Sequence, residues 1–132
     1  MKRILSVLIF PLILTGASGK NVQEESSEIY YVPIHSETYV PVTTTNIEEL
    51  AVRHGYLEHK HVQRLLDIIS SYANSGNFNR QYVRVKINLA GGKIIYLDNV
   101  GGVLCAEKER VLSRKALEKL RILIESNMVN DN

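Results

Sequence analysis

Between Val83 and Leu89 the chain alternates with a period of two: Val83, Val85, Ile87 and Leu89 are separated by Arg84, Lys86 and Asn88. That period puts the apolar side chains on one face of an extended backbone, which predicts a half-buried strand. Gly91-Gly92 follows and supplies the positive φ angles of a two-residue hairpin turn, so Lys93 to Asp98 is expected to return as the partner strand. Asn99-Val100-Gly101-Gly102 then predicts a turn into a third strand from Val103 to Ala106.

On both sides of this region the spacing changes to that of a helix. Thr45 or Asn46 can cap a first helix carrying Glu48 and Glu49 in its opening turn, where negative charge suits the dipole. Ile47, Leu50, Ala51 and His54 continue its spacing and Gly55 ends it. A second helix is expected from Lys60 to Ala73, with Val62, Leu65, Leu66, Ile69 and Ala73 as its apolar stripe and Asn74-Ser75-Gly76-Asn77 as its stop. Ser113 caps the last helix, Leu112 can pack on Leu117 as a hydrophobic staple, and Ala116, Leu117, Leu120, Leu123 and Ile124 form its buried stripe. The fold class that follows is α+β: two helices, a three-stranded antiparallel meander and a C-terminal helix, packed on one sheet face.

The amino-terminal part has a different character. Lys2 and Arg3 precede an apolar run from Ile4 to Leu14, and Ala17-Ser18-Gly19 makes a small-residue exit. The run is shorter than the roughly 20 residues of a spanning helix, so residues 1–19 are expected to be a cleaved signal peptide that leaves no stable membrane anchor. Export predicts a periplasmic or secreted protein. Residues 20–45 are expected to be an acidic leader followed by extended arms, because Tyr31-Val32-Pro33-Ile34 returns as Tyr39-Val40-Pro41-Val42 and proline confines such pieces to sheet edges or polyproline-like segments. Residues 46–132 are then the single α+β domain.

Charge narrows the partners. Loss of Lys2 and Arg3 takes 16 basic residues to 14, against 14 acidic ones, so the mature chain is neutral. Nucleic-acid binding calls for a surplus of cations, and none is expected here. The halves are nonetheless polarised, with acids gathered over 21–58 and bases over 80–121, which fits mutual attraction within the fold. Cys105 is the single cysteine, so no internal disulfide can form, and its apolar setting predicts a buried, inert thiol.

The two-residue turn sets the register, with Leu89 opposite Ile94, Ile87 opposite Tyr96 and Val85 opposite Asp98. The face away from the core then carries Tyr82, Arg84, Lys86, Asn88, Ile95, Leu97 and Asn99. Cations beside two large apolar side chains mark an interaction surface, unless the arms fold back over them. Tyr82, Arg84, Lys86, Ile95 and Leu97 are therefore the expected protein-binding residues.

Catalytic and metal chemistry find little support. His59 and His61 lack the i, i+4 spacing of a helical zinc pair, and His54 to His61 spans the break between two helices, so neither a metal nor another cofactor is expected. Asp98 reads as a turn residue, no G-x-S-x-G elbow occurs, and Gly91-Gly92 precedes a strand rather than a helix. The expected function is an exported, non-catalytic binding module for another protein, such as an inhibitor or immunity protein of the cell envelope. The alternatives are a small secreted hydrolase using His54, His59 or His61 with a carboxylate, and a structural subunit of an envelope assembly.

Overall fold

The computed structural model describes residues 26–131, so the expected signal peptide lies outside the described residues. The chain is mixed α+β. Among the described residues it forms β1 (Ser27–Tyr31), α1 (Ile47–Leu50), β2 (Arg53–Leu57), α2 (His59–Tyr72), β3 (Asn74–Ser75), β4 (Val83–Asn88), β5 (Ile94–Asp98), β6 (Gly102–Cys105), β7 (Lys108–Val111), α3 (Arg114–Asn127) and β8 (Val129–Asn130). The strands make one eight-stranded antiparallel sheet in the order β3-β7-β6-β5-β4-β1-β2-β8. The strand count exceeds the three expected, because several strands are too short or too polar to announce themselves.

The largest departure concerns β1. Ser27–Tyr31 is an interior strand paired with both β2 and β4, not an arm or an edge. Its burial alternates residue by residue, and Pro33 only prevents the ladder from continuing past Val32, whose N–H still donates to the Arg84 carbonyl at 2.8 Å. The first helix is also shorter than its spacing suggests. Ala51 is already extended, Val52 N–H donates to the Tyr31 carbonyl at 2.8 Å, and His54 and Gly55 belong to β2. A helix of a single turn is marginal on its own, so pairing with β1 overrides the local preference.

The long helices follow their stripes. Ser113 Oγ accepts from Ala116 N–H at 3.1 Å at the start of α3, a cap worth about 1 kcal/mol. Ala116, Leu117, Leu120, Leu123 and Ile124 face inward from α3, as do Val62 and Leu65 from α2. They close over Ile29, Tyr31, Leu57, Val85, Ile87, Ile95, Leu97 and Val103 to form the main core. Each large side chain removed from water there contributes roughly 1.5–3 kcal/mol.

One residue in a turn decides which strand side chains reach that core. Leu89 N–H donates to the Lys93 carbonyl at 2.8 Å and Gly92 N–H to the Leu89 carbonyl at 2.9 Å, so the loop holds three residues and Gly92 takes the left-handed position at φ +97°. Compared with a two-residue turn, the partner strand slips by one. Ile87 therefore lies opposite Ile95 and Val85 opposite Leu97. Because side chains alternate, the slip moves Ile95 and Leu97 from the expected exposed face into the core, where they are 2% and 0% exposed. A bulge between Val83 and Val85 then turns Val83 to the opposite face from Val85.

That second face has its own smaller core. Val32, Val42, Ile47, Phe78, Val83 and Leu104 pack together there, with Tyr30 and Tyr96 against them. The Tyr-Val-Pro segment thus folds back on the sheet, but over Val83 and Leu104 rather than over Ile95 and Leu97. Among the described residues, Tyr56, Ile94 and Val129 on the rest of this face stay exposed.

Candidate functional site

The second face is built as two rows across the strands. Val129, Tyr56, Glu28, Asn88 and Ile94 are successive cross-strand partners in the first, and His54, Tyr30, Lys86, Tyr96, Leu104 and Glu109 in the second. Directly opposed side chains in such rows come within reach of one another, so the ladder itself assembles residues that are distant in sequence.

Glu28 is the hub. Its carboxylate accepts from Asn88 Nδ2 at 2.9 Å, from Tyr30 Oη at 3.3 Å, and pairs with His54 Nε2 at 2.8 Å. The Asn88 and His54 hydrogen bonds hold its carboxyl below the usual carboxylate range, against a smaller opposing effect of burial. The His54 ring stacks on Tyr30 with centroids 4.3 Å apart and planes 8° from parallel, while its Nδ1 lies 3.5 Å from Asp131 Oδ2. Desolvation, with Glu28 and Glu48 nearby, pushes the Tyr30 phenol up to about 12. Lys86 reaches Glu48 Oε2 at 2.5 Å from a position 6.0 Å from the ring centroids of both Tyr30 and Tyr96. Tyr56, 44% exposed, stands at the rim.

The five residues expected to bind protein are dispersed. Lys86 alone lies on this face. Tyr82 is exposed beside the loop that carries Tyr39, and its strand contact is an isolated parallel bridge to Val42. Arg84 is 2% exposed at the bulge, with Nη1 donating to the Val83 carbonyl at 3.0 Å, Nη2 to the Ser36 carbonyl at 3.1 Å, and Nε without a partner among the described residues. Burial lowers its pKa, against an opposing influence of Asp98. Ile95 and Leu97 are core, for the register reason above.

Other candidates are equally spread. His35 pairs with Glu118 at 2.7 Å, His59 opens α2, and His61 lines a cleft of about 700 Å³ between α2 and α3 together with Arg64, Ile68, Tyr72 and Lys119. Among the described residues no group of three or more His, Cys, Asp and Glu is arranged to hold a metal ion. Asp98 is wholly buried and accepts three backbone N–H groups: Val100 at 2.9 Å, Gly102 at 2.6 Å and Asn79 at 2.9 Å. It organises two loops. Cys105 is half-buried, not buried, because it ends β6 at the Ala106-Glu107 turn and lines a cleft of about 420 Å³ with Leu66, Ile69, Val103 and Arg110.

Glu28, Tyr30, His54, Tyr56, Tyr96 and Asp131 were not on the expected surface. The alternation of Ser27–Tyr31 and Arg53–Leu57 carries a signal for them, but the first was masked by the acidic residues before it and the second by a helical spacing that runs to His54.

Fold and site together define an antiparallel α+β chain whose sheet presents an organised aromatic and charged face. Comparisons with family models, curated proteins and solved structures found no significant match. No helix among the described residues is long and apolar enough to cross a membrane.

Proposed function

We propose that this chain is an exported, non-catalytic module that binds another protein in the periplasm or outside the cell, as an inhibitor or immunity protein would. What carries the reading is the prearranged row of His54, Tyr30, Lys86 and Tyr96 on the second face, with Tyr56 beside it in the neighbouring row. Stacking and hydrogen bonds fix Tyr30, His54 and Lys86 before any partner arrives, so little of their rotamer entropy is lost on association. Aromatic residues with polar tips, flanked by one cation, are the composition of interface hot spots.

A photo-reactive amino acid placed at Tyr56 should cross-link the partner in envelope extracts of the native host, whereas the same group at Ile122, on exposed α3, should not. Tyr56→Ser and Lys86→Gln should each weaken capture of that cross-linked protein at least tenfold while circular dichroism stays unchanged. Equal capture by wild type and both variants removes the face from the function.

The hydrolase reading draws on the His54–Glu28 pair, which has acid–base geometry. It is the weaker one, since Glu28 is engaged by three side chains and the pair sits on an open face rather than in one of the clefts described above. Activity that survives Glu28→Gln and His54→Gln unchanged would dismiss it.

A further inference from the structure

We propose that the outer edge of β2 is a receptor for an extended, carboxylate-bearing peptide segment, and that the chain's own C-terminal strand β8 occupies it in cis. The inference goes beyond the face described above and stands whether or not that face binds a partner.

The edge is built for a strand with particular chemistry. Tyr56 pairs with Val129 and Gly55 with Asn130, and Asp131 N–H donates to the His54 carbonyl at 2.7 Å. Two β2 side chains read the tail beside this ladder. Arg53 Nε donates to Asn130 Oδ1 at 3.0 Å, and His54 Nδ1 lies 3.5 Å from the Asp131 carboxylate. The tail is thus a resident ligand whose order, β-branched residue, side-chain acceptor, carboxylate, records what the edge accepts.

Gly55 makes the seat possible. A Cβ there would fall 1.9 Å from the Val129 carbonyl oxygen and 2.8 Å from Asn130 Cα, so the incoming backbone occupies the space that a side chain would take. An ordinary ladder does not demand this, because strand side chains stand perpendicular to it. The occupant is also lightly held. Val129 and Asn130 are exposed and the strand is two residues long, so its hold on the edge comes largely from being tethered to α3. A free segment of the same chemistry, extended beyond two pairs, competes only when the resident strand's own contacts with the edge are weakened.

The carboxylate distinguishes this partner from any strand that would merely add to an open edge. Arg53 brings a positive charge to the edge and His54 turns its ring Nδ1 toward the Asp131 carboxylate, and the titratable groups facing His54 are Glu28, Tyr30 and Asp131. A neutral segment keeps the backbone ladder and forfeits that contact.

The test uses the full chain with Asp131→Pro, which removes both the N–H donated to His54 and the competing carboxylate. A fluorescein-labelled hexapeptide of sequence Asn-Met-Val-Asn-Asp-Asn should bind this variant at least tenfold more tightly than wild type in fluorescence polarisation. Replacing the peptide's Asp by Asn should weaken binding severalfold, and adding Gly55→Ala should abolish it. If Asp131→Pro, with an unchanged circular dichroism spectrum, binds the peptide no better than wild type, or if Gly55→Ala leaves binding intact, the proposal fails. Dimerisation of the Asp131→Pro variant by light scattering, with the peptide excluded, would assign the edge to a second copy and likewise overturn it. Should Asp131→Pro lose its fold, Gly55→Ala in the wild-type chain serves instead: backbone hydrogen exchange over 129–131 should accelerate at least tenfold while β1 and β4 stay protected, and no acceleration refutes the seat.

Discussion

Leu97→Ala tests the register on which every other placement depends. Leu97 is fully buried in the main core, paired across the ladders with Val85 and Val103 and roofed by the helices. Truncating a fully enclosed leucine removes its transfer free energy and leaves a cavity, together about 3 kcal/mol. For a domain of this size that lowers Tm by roughly 12 °C, taking about 4 °C per kcal/mol. With a urea slope of about 1.5 kcal/mol/M, the unfolding midpoint should fall by about 2 M. The assay is equilibrium urea unfolding followed by far-UV circular dichroism, with Ile94→Ala as companion, since Ile94 is 37% exposed on the other face and should cost less than about 1 kcal/mol. Had the hairpin closed with two residues, Leu97 would lie on the face away from the helices and Ile94 on the core face, so the order of the two costs would reverse. A loss below about 1 kcal/mol for Leu97→Ala, at an unchanged slope, refutes the three-residue loop and the core built on it.

Asp98→Ala should destabilise by roughly 3 kcal/mol or more, because the amides of Asn79, Val100 and Gly102 would lose their common acceptor; a shift below about 1 kcal/mol in chemical unfolding would show that solvent replaces it. Ala106 and Glu107 hold φ angles of 52° and 66°, so changing the pair to Asn-Gly should stabilise the chain by about 1–2 kcal/mol, read as a higher Tm, and no gain would mean that the turn is not strained. Hydrogen bonds from Arg121, then from His35, hold the Glu118 carboxyl down to about 2. A depressed carboxyl contributes stability that is complete above about pH 4.5 and is lost as pH falls toward 2, so Glu118→Gln should flatten the acid limb of the stability profile over that window; Glu28, also lowered, acts in the same direction. An identical acid limb in the variant would contradict it.

Legibility in the sequence followed the range of the interaction. The α2 stripe and the Ser113 cap are written within a few neighbouring residues; α2 lies within a residue of its expected bounds and α3 begins directly after its expected cap. The alternation of β4 was equally local. The open face was not, since Glu28 meets His54 and Asn88 only after β1 inserts between β2 and β4. Lys86 lies on the second face in either register, because the slip displaces β5 rather than β4. Ile95 and Leu97 changed sides with that slip.

The sequence by itself determined that the chain is mixed α+β, where its two long helices run, and which stretches alternate. These properties follow from periodicity, capping and turn residues, each decided over one or two turns of backbone. Tertiary structure alone decided that Ser27–Tyr31 is an interior strand, that Arg53–Leu57 is extended rather than helical, that the hairpin closes over three residues, and that the C-terminal residues seat on Gly55. Each of these compares conformations of similar local free energy, and the balance is tipped by burial and pairing with segments tens of residues away, which no local pattern records.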